Sequence, residues 1–277
     1  MEVDVVLNDF DGCMVRHGYD THGKIQKGPD SETDDAFDFY RSYGRSIVLC
    51  TGRSYEATEG ILRRMNRNSA VCEHGIDILY ESERICLLDE PDFSQYRPYM
   101  ELLREIENEI DPRIPDILSY MRAQSFSKPQ KAYSLGYDIP YRDFDETERV
   151  DPHRFFDLVM EVIPSSLKQS FGSRIMVNLN GSTALDFRLP IRKVDGGRYI
   201  LKRMGIPMER SVMVEDTDVE SIRGNWCVAC PANAKPEVKN YVSSRGDEGY
   251  ISPFSYMQGE IDILNHLAQS SHTLVDL

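Results

Sequence analysis

VDVVLNDFDG (residues 3–12) is the stretch on which the reading of this chain turns. Residues 3–8 form an apolar, β-branched run, the composition of a buried strand. The run ends at Asp9-Phe10-Asp11-Gly12, an acidic turn. In open α/β sheets, ligands bind at the carboxyl ends of the strands, where this turn would sit. Two carboxylates one residue apart in such a turn can point into one crevice. Alone, the same four residues also describe an ordinary acidic turn.

Working outward, strand and helix patterns alternate. Asp34 to Tyr43 place Phe37, Tyr40 and Ala36, Phe39, Tyr43 at helical spacing, and Gly44 is a natural stop. Ser46 to Cys50 is a second buried strand, followed by the turn Thr51-Gly52-Arg53. A helix from about Tyr55 to Met65 and a short strand Ala70-Val71-Cys72 follow. This rhythm predicts an α/β fold with a parallel sheet and helices on both faces.

The rhythm breaks over residues 82–186. A charged helix from Pro98 to Ile110, a loop-rich stretch at 111–130 and strand-like Ala132 to Tyr137 come first. A helix opened by Asp151-Pro152 and two alternating strands, Arg174 to Asn180 and Thr183 to Arg188, follow; Asn180-Gly181 between them is a hairpin signal. Tyr133 and Tyr137 share a face of the first strand, as core residues or a stacking platform. From about residue 190 the first rhythm resumes, with a helix ending at Met204-Gly205, a strand Ser211 to Val214 and a strand Trp226 to Cys230. A helix entered through Pro236 and a last one near Tyr256 to Leu267 complete it. Residues 1–81 and 187–277 thus read as one α/β core, interrupted by an α+β insertion at 82–186.

The chain has 277 residues and a formal charge of -14, from 46 acidic and 32 basic side chains. Such a surface repels nucleic acid and anionic lipid, and an anionic substrate would need a local cationic pocket or a bound metal. No apolar run approaches the roughly 18 to 20 residues that span a bilayer. The acidic start does not read as a signal peptide, so the expected compartment is the cytoplasm. The six cysteines are expected to be free thiols, because Cys50, Cys72 and Cys227 lie in apolar strands and Cys227-x-x-Cys230 has no second pair. Oligomeric state stays open between monomer and homodimer.

Several segments carry chemistry in an ordered series. One of Asp9 and Asp11 can attack phosphorus while the other donates and then accepts a proton, provided that a divalent cation offsets the repulsion between carboxylate and phosphate. Thr51, Gly52 and Arg53 offer a hydroxyl, N–H groups and a helix start, a ready phosphate site or a plain N-cap turn. Lys193 precedes a helix and can neutralise a phosphoryl group. Glu215-Asp216-Thr217-Asp218-Val219-Glu220 follows an apolar strand, and acidic oxygens there suit magnesium, or a negatively charged helix start.

Taken together these segments resemble the haloacid dehalogenase-like (HAD) superfamily of aspartate-nucleophile phosphatases. The branch indicated, subfamily IIB, has a large inserted cap and includes sucrose-phosphate phosphatases and Cof-type sugar phosphatases. Asp9 and Asp11 match its DxDG motif, Thr51 in VLCTGRS its second motif, and Cys72-Glu73-His74-Gly75 its C-E-N-G turn with His74 in place of asparagine. Lys193 lies twelve residues before Gly205, as in the family's lysine segment, and Ala232-Asn233-Ala234 resembles its V-x-N-A turn. Val194 replaces a glycine, and the fourth motif, usually GDSxND, here has Val219 for the asparagine and Glu220 for the second acid.

The resemblance implies a Rossmann-like core, with residues 82–186 as a cap that selects the substrate. It implies a Mg2+-dependent phosphatase acting on a small phosphorylated metabolite, most simply a sugar phosphate, with Asp9 as nucleophile and Asp11 as proton shuttle. Phosphate would be held by Thr51, Gly52, Arg53 and Lys193. The metal would be held by Asp9, the backbone carbonyl of Asp11 and Asp216, with Glu220 or Asp218 assisting through water. Arg122, Lys131, Arg174, Asn178 and Asn180 are the cap candidates for substrate contact. A sugar phosphomutase, or a member that binds a phosphorylated ligand without turnover, are the alternatives; the TGR triplet favours the phosphatase over the mutase.

Overall fold

The computed structural model describes residues 3–14, 31–44, 46–121, 128–138, 152–180 and 184–272. The described residues divide into two units, one built from those at 3–14 and 31–87 and from Arg192 onward, the other from those within Leu88–Ile191.

In the first unit, β1 (Val5–Asn8) is buried along its whole length. It pairs in parallel with β2 (Ser46–Cys50) on one side and β9 (Ser211–Val214) on the other. β3 (Ala70–Cys72) continues the parallel sheet beyond β2, and β10 (Cys227–Cys230) and β11 (Gly249–Ile251) continue it beyond β9. An antiparallel hairpin, β4 (Asp77–Tyr80) and β5 (Glu83–Cys86), closes the edge, giving the order β11-β10-β9-β1-β2-β3-β4-β5.

β1 is buried throughout, and apolar at Val5, Val6 and Leu7, because helices cover both faces. Val6 joins Ile47 and Leu49 in a cluster with Phe37 and Tyr40 of α1 (Ser31–Ser42), Leu62 and Met65 of α2 (Tyr55–Met65), and Ile263, Leu264 and Leu267 of α9 (Tyr256–His272). On the other face, α7 (Lys193–Met204) lies close against the sheet. Two glycines allow this approach: a Cβ on Gly196 would stand 2.5 Å from Val71 Cγ1, and one on Gly197 would stand 3.2 Å from Leu7 Cδ1. The last helix of the unit before α9, α8 (Pro236–Ser244), begins at Pro236, and α7 ends as its sequence predicts, on Gly205 with φ 68°.

The second unit contains a three-stranded antiparallel sheet, β6 (Ser134–Asp138), β8 (Ala184–Arg188) and β7 (Met176–Asn180), in the order β6-β8-β7. Alternation sorts the strand residues: Leu135, Tyr137, Leu185 and Phe187 are buried in the apolar core, whereas Ser134, Asn178, Asp186 and Arg188 occupy the opposite, polar face. Tyr137 is therefore core, edge-on to Phe187, with its hydroxyl donating to Asp111 Oδ1 at 2.8 Å. The helices α3 (Tyr99–Ile110), α5 (Pro152–Val162) and the short α6 (Ser165–Lys168) belong to this unit.

Three features depart from the sequence-based expectation. Residues 111–130 are not only loop: α4 (Ile114–Met121) buries Ile114, Ile117 and Met121, one helical face, with Pro115 tolerated in its first turn. The break in rhythm falls later than residue 82, because β5 still pairs with β4. Their turn is made by Glu81 and Ser82, with φ of 48° and 72°, the geometry usually signalled by Asn-Gly and here carrying no such signal. The return also falls later than residue 187, because β8 runs on to Arg188 and the chain re-enters the first unit at Arg192. All six cysteines are free, as expected, and five are buried. Among the described residues, no helix is long and apolar enough to cross a membrane.

Candidate active site

Register brings the site together. Asn8 lies level with Leu49 of β2 and with Val214 of β9, so Asp9, Thr51 and Glu215 emerge at neighbouring carboxyl ends. The Asp9 N–H donates to Val214 O at 3.0 Å, pinning the residue to β9, and Asp9 Oδ1 accepts from the Phe10 N–H at 2.8 Å. Lys193 opens α7 with its side chain buried. Its Nζ is 2.6 Å from Asp9 Oδ2 and 2.8 Å from Glu215 Oε2. The other Glu215 oxygen accepts from the N–H groups of Asp216 (3.3 Å), Thr217 (3.1 Å) and Asp218 (3.3 Å), and from the Thr217 hydroxyl (3.2 Å).

Asp9, Glu215 and Asp216 form one buried group in which one carboxylate oxygen from each lies within 4.8 Å of the others. Burial pushes the Asp9 carboxyl well above its usual range, and the Glu215 and Asp216 charges push it further, against the opposing pull of Lys193. For Glu215 burial acts in the same upward direction, but Lys193, the hydrogen bond with Asp9 and the Thr217 N–H outweigh it and hold the group down to about 2. Lys193 is raised: burial alone would lower it, and the two carboxylates it touches dominate. Among the described residues, these three buried carboxylates outnumber the one ammonium in contact with the group, Lys193, which touches Asp9 and Glu215. Such an excess of negative charge calls for protons or a cation, and an all-oxygen donor set suits a hard divalent ion. The residues present fit a metal.

The sequence-derived residues fall into three groups. Asp9, Lys193 and Asp216 meet in this pocket. Thr51 is buried beside it; its Oγ accepts from the Arg53 N–H at 3.2 Å, while Ser54 rather than Thr51 serves as N-cap of α2. Asp11 is turned to Arg53 in a two-pronged pair, Nε to Oδ2 at 2.7 Å and Nη2 to Oδ1 at 2.6 Å, with the guanidinium 5.0 Å from the Phe10 ring centroid. Glu220 is not part of the acidic group: its carboxylate faces Arg192 (2.7 Å) and Arg223 (2.9 Å). Asp218 caps the turn Val219–Ser221, accepting from the Glu220 N–H at 3.0 Å and the Ser221 hydroxyl at 2.7 Å. The acid that sequence reasoning misses as a ligand is Glu215. Its one signal is its place as the first residue beyond an apolar strand, level with Asp9.

In the second unit, Lys131 Nζ donates to Asp186 Oδ1 at 2.8 Å, both side chains being about nine-tenths buried. Gly136 leaves room for this pair, since a Cβ there would lie 2.9 Å from the same Asp186 oxygen. Asn178, with its amide oxygen toward Arg188, accepts from Nε at 2.9 Å and Nη2 at 3.0 Å. Arg174 is exposed, its guanidinium 5.9 Å from the Tyr99 ring centroid. Arg122 and the side chain of Asn180 lie outside the described residues. Asp186 and Arg188, missed in the sequence, share the polar sheet face with Asn178.

Among solved structures, the chain is similar to the sucrose-phosphatase of Synechocystis sp. in complex with sucrose and phosphate, at 15% identity, TM-score 0.57, over 97% of this chain and 99% of that one. A HAD/COF-like hydrolase from Plasmodium vivax aligns at 20% identity and TM-score 0.60 over 98% and 96%. A Thermoplasma acidophilum protein aligns at 14% and 0.60 over 97% and 99%. At these identities the likeness is one of fold. No curated protein sequence matches significantly. The family profile described as haloacid dehalogenase-like hydrolase matches residues 6–244, so the chain belongs to the haloacid dehalogenase-like hydrolases.

Proposed function

We propose that this protein is a magnesium-dependent phosphatase that hydrolyses a small phosphorylated metabolite, a sugar phosphate, through an aspartyl phosphate on Asp9. The observation that carries the reading is the buried group of Asp9, Glu215 and Asp216 around Lys193. Asp9, Glu215 and Asp216 are the residues that would hold the magnesium. When bound, it supplies the positive charge that lets a carboxylate approach a phosphate dianion.

Asp9 attacks phosphorus; the new P–O bond forms as the bond to the leaving oxygen breaks, and Asp11 gives that oxygen its proton. Water then attacks the aspartyl phosphate, its proton returns to Asp11, and orthophosphate leaves as the P–O bond to Asp9 breaks. In the structure Asp11 is held by its pair with Arg53. For the first step Arg53 turns to the phosphoryl oxygens, releasing Asp11 to carry a proton. Lys193 and the Thr51–Arg53 loop hold the phosphoryl oxygens in line, so positioning and charge neutralisation do most of the work.

The second unit is proposed to choose the leaving group. A polar sheet face with Lys131, Asn178, Asp186 and Arg188 suits an array of hydroxyls, and the fold shared with the sucrose-bound phosphatase points the same way. The site is tested by orthophosphate release from a panel of sugar phosphates, with and without magnesium, while isomerised product is followed alongside. Magnesium-dependent release that vanishes in Asp9→Asn supports the proposal. Isomerisation without release would replace it by a mutase.

A further inference from the structure

The Thr51–Arg53 loop and the start of α7 both rest on one turn that the proposed chemistry leaves unused. Beyond β3 the chain passes through Glu73, His74 and Gly75 with φ of 43°, 59° and 119°. Left-handed backbone at a side-chain-bearing residue costs about 1–3 kcal/mol and persists where its surroundings over-determine it. Here two elements do so. The Glu73 N–H donates to Arg53 O at 2.8 Å and the His74 N–H to Thr51 O at 3.1 Å, so the turn grips the loop at both ends. The His74 ring lies over Gly52, where a Cβ would be 2.5 Å from Cε1 and 2.7 Å from Nε2. On its other side the turn abuts α7. A Cβ on Gly75 would collide with the Arg192 carbonyl oxygen, and one on Gly196 would lie 2.8 Å from Gly75 O.

We infer that His74 is a positioning residue. The strained turn and its ring fix the distance between the Thr51–Arg53 loop and Lys193, and so shape the cradle for a tetrahedral oxyanion. This rests on the reading of that loop and Lys193 as the phosphoryl site. The turn touches the loop through backbone bonds and the ring packs on Gly52, so the ring's volume is the property that sets the spacing.

The test is a double-variant cycle on orthophosphate affinity, measured by calorimetry on the full chain with magnesium present throughout. Asparagine tolerates left-handed backbone but lacks the distal ring atoms, so His74→Asn keeps the turn and removes the wedge. It is expected to weaken orthophosphate binding about 3- to 10-fold, and Gly52→Ala about 30-fold or more, because Cβ and ring cannot share the space. In the double variant the loss falls back to within about threefold of His74→Asn alone, a recovery that a merely structural role would not produce. Circular dichroism confirms that each variant is folded; should His74→Asn not fold, His74→Gly, which also tolerates left-handed backbone and has no ring, takes its place in the cycle. Additive losses, unchanged affinity in His74→Asn, or no orthophosphate binding by the wild type would overturn the inference. Absent turnover of every ester with the coupling intact would sink the phosphatase reading alone, whereas phosphate release retained without coupling would sink the positioning role alone.

Discussion

Glu260, on α9, is fully buried, and among the described residues neither of its carboxylate oxygens has a hydrogen-bond partner. Burial pushes its pKa from 4.5 up to about 8; only the adjacent Tyr40 hydroxyl pulls the other way, without the geometry of a hydrogen bond. Below pH 4.5 the folded and unfolded states both carry the proton and the group is neutral to stability. Between 4.5 and 8 the unfolded chain ionises while the folded one stays protonated, so stability falls as pH rises, by about 1.4 kcal/mol per unit. Across the window that amounts to about 5 kcal/mol; above pH 8 both states are ionised and the slope vanishes. Glu260→Gln keeps the volume and removes the titration. Urea denaturation of both proteins from pH 5 to 9 should show the Gln variant gaining on the wild type with each unit, then levelling near pH 8. A constant offset between parallel curves would refute the argument, whatever its sign, because only the slope reports the buried proton.

Lys193→Met leaves Asp9, Glu215 and Asp216 without their ammonium. A loss of about 3–5 kcal/mol is expected in metal-free chemical denaturation, and added magnesium should raise the melting temperature of this variant more than that of the wild type. Arg53→Ala frees Asp11 but removes only a half-exposed pair, so stability should change by less than about 1 kcal/mol. Turnover should nonetheless drop about 10²-fold, read as a fall in kcat. In the second unit, Lys131→Met removes the buried ammonium bonded to Asp186 at a cost of about 3 kcal/mol, and Lys131→Met with Asp186→Asn recovers most of it, in a denaturation double-variant cycle.

The parts of the site legible in the sequence are those fixed by local chain geometry. A strand end carries Asp9, another carries Thr51, and a helix start carries Lys193, so motif order alone brings them to one edge. Glu215 is legible as a motif residue but not as a ligand, because its role depends on its burial against Lys193, a contact between the end of β9 and α7. Glu220 has the spacing of a second metal acid. The turn at Val219–Ser221, capped by Asp218, instead sends it to Arg192 and Arg223. Glu81-Ser82 shows the same limit for the fold: a hairpin turn without Gly or Asn is set by the packing of Ile85 rather than by a local signal, while the short α4 shows itself in the burial of Ile114, Ile117 and Met121 on one face. The buried pair of Lys131 and Asp186, 55 positions apart, has no trace in the sequence pattern at all.

The central claim is that Asp9 becomes phosphorylated. Mass spectrometry of the protein quenched in acid during turnover of a reactive phosphate ester with magnesium reads this directly. The account predicts a mass increase of one phosphoryl group on a peptide containing Asp9, absent without magnesium and absent in Asp9→Asn. Phosphate release continuing in Asp9→Asn, or label on any other residue, would contradict it.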